Sequence, residues 1–170
     1  MKNTTRSLLV LAVCIVAGGC APVARIEAAG DIHAFLIAVR DDDRAGFNAH
    51  VDRRAVEDRL EARMLAQTQQ SGEGVRALGA ILAHPLSKLA GDALLQPDVF
   101  RAVAEYYGYR PGMEIPNSLL IAAALRRLPD GRICATLKHG GSCVITFADE
   151  DNVWRLVSFD GDLDMLKPGL

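Results

Sequence analysis

The apolar positions of this chain change period at Pro129-Asp130-Gly131, and that change constrains the fold more than any other feature. Before it, hydrophobic residues recur at three- and four-residue steps, the spacing of one helix face. After it they alternate, the spacing of a strand with one face buried. Proline and glycine at the junction end a helix and turn the chain. Helices first and strands second cannot build the alternating units of a parallel sheet. The pattern predicts an α+β fold in which helices cover one face of an antiparallel sheet.

Breakers divide the helical part. Asp31 is placed to cap a first helix running to about Arg40, with Ile32, Phe35, Leu36 and Val39 on one stripe. Asp41-Asp42-Asp43 follows. Calcium loops alternate their acidic ligands and need a downstream glycine and glutamate, so this run reads as a solvated connection. Asp52 caps a second helix from Arg53 to about Gln70, with Val56, Leu60 and Met64 as its buried stripe. Arg53 with Glu57 and Arg54 with Asp58 are i,i+4 pairs on its wet face. Ser71-Gly72-Glu73-Gly74 ends it. A third helical stretch, Val75 to Leu95, carries Leu78, Ile81, Leu82, Leu86, Leu89 and Leu94, and Pro85 kinks or splits it. A fourth opens with Pro97 and Asp98, carries Val99, Phe100 and Val103, and ends near Tyr107, where Gly108 suits a left-handed cap. Ser118 is placed to cap a last helix to about Leu128. Strands follow near 131–137, 143–148 and 153–159. The expected architecture is four to five helices followed by a small three-stranded antiparallel meander, in one domain over residues 30–165.

The N-terminus carries an address. Lys2 and Arg6 precede an apolar run, Leu8 to Val16, too short to span a bilayer, and small residues lead into Ala17-Gly18-Gly19-Cys20. This is the order of a signal peptide, here residues 1–19. The cysteine at the cut resembles a bacterial lipobox, with Ala17 where that motif usually has leucine. The resemblance implies a lipid-modified Cys20, residues 20–29 as a lipidated tether, and a membrane partner through the lipid anchor. Several acyl chains on one residue exceed what stable anchoring needs. The competing readings are cleavage after Ala21 and an uncleaved anchor. Ala21 is not an aspartate, and by resemblance to enterobacterial sorting this favours the outer over the inner membrane, facing the periplasm.

Composition narrows the partners. The formal charge is −2, and removing Lys2 and Arg6 with the leader takes it to about −4. That balance, with aromatics at only 5%, argues against nucleic acid, which needs a basic face and stacking platforms. Beyond the leader and Cys20, only Cys134 and Cys143 remain. In an oxidising compartment an even pair reads first as a disulfide. The flanking strand-like runs form a hairpin around Lys138 to Ser142 that sets the two cysteines opposite each other. Free thiols and a redox pair are the alternatives; the latter lacks CxxC spacing.

Several local patterns occur together. Ala38-Val39-Arg40-Asp41 ends a helix, Val51-Asp52 opens the next, and an alanine- and leucine-rich stretch leads to Pro97-Asp98. Ile145-Thr146-Phe147 and Trp154-Arg155-Leu156 close the set as strands. From about Phe35 to Leu156 the chain resembles the bacterial family called domain of unknown function 2939. The resemblance implies a membrane-anchored N-terminus before a helical domain. The family has no assigned activity, so no catalytic residue follows from it.

No motif names a reaction, a cofactor or a metal. His33, His50, His84 and His139 are scattered, and none stands at ligand spacing from another His, Cys or carboxylate. No nucleophile elbow or phosphate loop occurs. Arg101, Glu105 and Tyr107 form a candidate polar pocket beside Tyr106 and Tyr109; the plainer reading has these tyrosines edging the core with wet hydroxyls. Three functional readings follow. The first is a non-enzymatic envelope lipoprotein that binds an apolar ligand or another envelope protein. The second is a hydrolase built from non-adjacent residues such as His84, Glu105 and Tyr107. The third is a purely structural envelope role.

Overall fold

The computed structural model describes residues 20–106, 108–136 and 141–160. The expected leader, Tyr107 and residues 138–140 of the expected hairpin turn lie outside them. The described residues form six helices and a four-stranded antiparallel sheet. The mixed α+β class is as expected, but one helix and one strand more are present than the sequence pattern indicated. The helices are α1 (Cys20–Asp41), α2 (Arg44–Ala49), α3 (Arg53–Gln69), α4 (Glu73–Leu94), α5 (Pro97–Tyr106) and α6 (Ser118–Ala124). The strands are β1 (Leu125–Arg127), β2 (Ile133–Thr136), β3 (Cys143–Glu150) and β4 (Val153–Phe159), adjacent in that order.

The helix expected from Asp31 is already formed from Cys20, so residues 20–29, expected as the tether, are helical. Alanine is the strongest helix former, and this stretch is rich in it. Ala28 and Ala29 are fully buried, small enough to let the helix approach its neighbours closely. Asp31 therefore sits inside the helix, and its carboxylate accepts the backbone N–H of Trp154. The acidic run after α1 contains a turn and a further short helix. Asp42 takes a left-handed φ of +55°, and the Asp43 carboxylate caps α2 by accepting from Ala45 N and Gly46 N. Asp52 caps α3 through Ala55 N, as expected. Asn117 rather than Ser118 caps α6, accepting from Leu120 N.

Residues 125–127 leave the helical pattern and pair with β2. Leu125 is buried, and the Leu128 N–H donates to Arg132 O, closing a hairpin over Pro129-Asp130-Gly131. Gly131 has φ +89°, a conformation that favours glycine. The pattern had carried this segment into the last helix because three residues are too few to show alternation. The opposite edge of the sheet is closed by the α2–α3 junction. Leu156 N donates to His50 O, Asp52 N donates to Leu156 O, and Val51 bridges Leu156 in parallel. That cover protects an otherwise unpaired edge.

Cys134 and Cys143 are joined in a disulfide, with Cα atoms 5.6 Å apart. They are not directly opposite. Cys134 pairs with Thr146 and Cys143 with Thr136, and a register shift beside Ala135 brings them together. The Arg126 guanidinium lies 3.2 Å from the Cys143 sulfur.

All five phenylalanines of the chain meet in one cluster. Phe35 of α1 touches Phe47, Phe100 and Phe147 at centroid separations of 5.4, 5.7 and 6.0 Å. Phe100 extends the cluster to Phe159 at 5.8 Å. Offset and edge contacts of this kind add to the burial of large rings. The cluster fixes α1, α2 and α5 on one face of the sheet.

Candidate functional site

Helix α4 is attached to the domain by its small residues, not by its leucines. Gly79, Ala83, Ser87 and Gly91 recur every four residues and face α3. A Cβ at Gly79 would meet the Thr68 side chain at 2.7 Å, and one at Gly91 would meet Glu57 at 2.6 Å. At Gly79 the close approach depends on the missing side chain, because Thr68 is β-branched; at Gly91 the neighbour is the flexible Glu57 side chain. Ser87 is 1% exposed, and its hydroxyl donates to His84 O within the helix. Polar contacts hold the seam at one end and at its middle. Arg53 donates to the carbonyls of Gly91 and Leu95 at 3.3 and 3.1 Å; the Gly91 carbonyl also accepts the Leu95 N–H, and the Leu95 carbonyl is one that a helix C-terminus leaves open. Arg53 also pairs with Asp92 at 3.5 Å, and His84 Nδ1 lies 2.9 Å from Glu61. The expected Arg53–Glu57 pair is not made, because Glu57 lies over Gly91 while Arg53 reaches the end of α4. The expected Arg54–Asp58 pair is also not made.

The large apolar residues of α4, roughly a third of a turn round from the seam, face solvent. Leu78, Ile81 and Leu89 are 59%, 70% and 67% exposed, and Val75, Leu82 and Leu86 about half exposed. The sequence pattern had marked these residues as an apolar set, the usual mark of a core face. Helix α4 packs mainly on α3, and among the described residues no other element covers them. Pro85 lies inside one continuous α4 and does not split it.

Two narrow clefts flank α5. One is lined by Val56, Leu60, Leu94, Val99 and Phe100. The other is lined by Leu36, Val39, Val144 and Ile145, with Phe100, Val103 and Phe159 common to both. Helix α5 is accordingly only half buried on its apolar side; Pro97 alone is fully covered. Gly108 follows at φ +101°, as expected of the cap.

The candidate polar pocket is placed as follows. Arg101 turns to the carbonyl of Arg40 at 3.5 Å, and Glu105 is exposed on α5. Tyr107 lies outside the described residues. The Tyr109 hydroxyl is buried without a hydrogen-bond partner, not wet. His84, the histidine of the hydrolase reading, is engaged by Glu61 on α3. His33 Nδ1 lies 2.9 Å from Pro116 O, and His50 Nδ1 lies 2.8 Å from Gly46 O. Among the described residues, no group of three or more His, Cys, Asp or Glu is arranged to hold a metal, and no helix is long and apolar enough to cross a membrane.

One shifted titration lies at the β3–β4 turn. Partial burial raises the Glu150 carboxyl above the usual glutamate range, the Arg155 bridge at 3.1 Å opposes the rise, and neighbouring Asp52 adds to it. The cluster ties the start of α3 to the β3–β4 turn and reads as structural.

The outward α4 face was legible only as an apolar stripe. The missed signal is the second stripe of Gly79, Ala83, Ser87 and Gly91. Two stripes whose centres are roughly a third of a turn apart on one helix cannot both face α3, and small residues permit the closer approach.

Comparison with curated proteins and with solved structures gives no match. Comparison with protein families matches residues 8–103 to one described as protein of unknown function, DUF2939. The match spans α1 to α4, most of α5 and part of the leader; the strand motifs at 145–147 and 154–156 lie beyond it. Covering more than half of the 170 residues, it establishes that the chain belongs to the DUF2939 family of proteins of unknown function.

Proposed function

We propose that this protein is a lipid-anchored component of the bacterial cell envelope whose domain is a non-enzymatic interaction module, with the outward face of α4 as its working surface. The observation that carries the reading is that face itself. Six large apolar side chains, each close to half exposed or more, form a strip of several hundred Å². Patches of that size on soluble domains mark interaction sites. A rigid helix seated on a small-residue seam presents them without reorganisation, which favours binding.

The anchor reading draws on the opposite end of the chain. Val23 and Ile26 are exposed in the first turns after Cys20, and α6, which packs on α1, exposes Leu119 and Leu120. Acyl groups on Cys20 and these side chains would share one lipid surface, with the domain facing the periplasm and the outer membrane as its site. An apolar ligand, the other occupant expected from the sequence, would have the two hydrocarbon-lined clefts beside α5.

A photo-crosslinking residue at Leu82 of the full chain, in a bacterial host, tests the surface. Protein adducts are expected at Leu82 and not at exposed Arg76, which points away from the stripe. Absence of any protein adduct at Leu82 overturns the reading. Intact mass tests the anchor: the expected chain starts at Cys20 and carries acyl groups, and an unlipidated product overturns it.

A further inference from the structure

We infer that the partner of the α4 face is a second copy of this chain, packed antiparallel across Leu82; this rests on the reading of that face as an interaction surface. The exposed residues Val75, Leu78, Leu82, Leu86 and Leu89 are symmetric about Leu82, at steps of four and seven on either side. An antiparallel copy aligned there sets Val75 on Leu89, Leu78 on Leu86 and Leu82 on its own equivalent. A surface that is its own complement under a two-fold axis is what an isologous dimer requires. The i, i+4, i+7 spacing also keeps all five on one side of the helix.

The rest of the hairpin suits the same arrangement. Each copy contributes two packed helices, α3 and α4, and joining two leucine faces makes a four-helix arrangement. The strip supplies several hundred Å² per copy, and exposed Pro85 at its margin extends it toward the ~800 Å² per partner of stable pairs.

A bilayer surface fits this face less well. Helices that lie in a membrane interface carry aromatic residues and a basic polar side. Helix α4 has no aromatic residue, and its charges are mixed: Glu73, Arg76, Lys88 and Asp92. Pro85 also leaves the Ile81 carbonyl without its helical donor, which hydrocarbon would leave unsatisfied and the rim of a protein interface would not.

Disulfide trapping of the full chain in a bacterial host, under mild oxidation, tests the pairing. Leu82→Cys is expected to move to twice the chain mass on a non-reducing gel, while the parent chain and Arg76→Cys do not. Differently tagged Val75→Cys and Leu89→Cys chains are expected to link to each other and not to themselves. Self-linked Val75→Cys overturns the antiparallel pairing. Failure of Leu82→Cys to link, with the Leu82 photo-adduct at a mass other than twice the chain, overturns the dimer but leaves the interaction surface standing. Failure of both overturns the two together. These positions are exposed, so the variants leave the core intact.

Discussion

The Asp31 carboxylate accepts the backbone N–H of Trp154 at 2.8 Å, joining the first helix to the last strand across 123 positions. Trp154 is 6% exposed, so its N–H would have poor access to water without this acceptor. Asp31→Ala is expected to destabilise the fold by about 1–3 kcal/mol, the penalty of an unsatisfied buried donor. Asp31→Asn, which keeps an acceptor oxygen, should lose less. Urea denaturation of both variants checks the order; equal losses would refute it.

Gly79 and Gly91 should respond differently to alanine. Each substitution gains about 1 kcal/mol of helix propensity. At Gly79 the new Cβ meets the β-branched Thr68, whose own Cβ is 2.9 Å away and cannot swing aside. At Gly91 it meets the Glu57 side chain, which can rotate clear. Gly79→Ala is therefore expected to be net destabilising by about 1–2 kcal/mol, as overpacked sites are, and Gly91→Ala close to neutral. Thr68→Ala should recover part of the Gly79→Ala loss in a double-mutant cycle on thermal unfolding.

Removing the Cys134–Cys143 bridge, by reduction or by replacing both with alanine, should lower stability by about 2–3 kcal/mol, from the chain entropy of a short closed loop. The bridge closes a separation of nine positions. Intact mass before and after reduction, paired with denaturation, checks both the bond and its effect.

The Asp52–Glu150 neighbourhood should be visible in the pH dependence of stability. The Glu150 carboxyl titrates above its ordinary value of 4.5 in the folded protein, so the folded state holds that proton more tightly than the unfolded chain. Its stabilising contribution is complete below the ordinary value and is lost as pH rises through the folded one. Asp52→Asn keeps an N-cap of similar strength and removes the acidic neighbour. The variant should bring the Glu150 titration down and flatten this slope, with NMR of the Glu150 carboxyl carbon as the direct readout. An unmoved titration would refute the coupling.

Core and surface hydrophobes should separate cleanly. Phe35→Ala, at the centre of the aromatic cluster, is expected to lose about 3–5 kcal/mol. Leu89→Ser on α4 should stay within about 0.5 kcal/mol in the unassociated chain, because an exposed side chain loses little burial. A large loss at Leu89 in dilute, non-associating samples would show that the face is covered from within the chain.

Much of the fold was written locally. The Asp52 cap, the Pro97-Asp98 start and the Gly108 stop each depend on contacts within a few residues, and each appears where the sequence placed it; Pro129-Asp130-Gly131 is a turn as expected, but the helix gives way to strand earlier, at Leu125. The pairing of Cys134 with Cys143 was also legible, because a short hairpin leaves two cysteines little choice.

The sequence by itself determined most of the helices and three of the four strands, since period, caps and breakers act over one or two turns. Tertiary structure decided what each face meets. It extended α1 back to Cys20 to bury Ala28 and Ala29, and it drew Leu125 to Arg127 into the sheet. It also turned the leucines of α4 outward. An apolar stripe states only that hydrocarbon lies on one side of a helix. Whether that side is covered depends on which of two stripes lets a neighbour approach closest, and here Gly79 and Gly91 settle it in favour of the small residues.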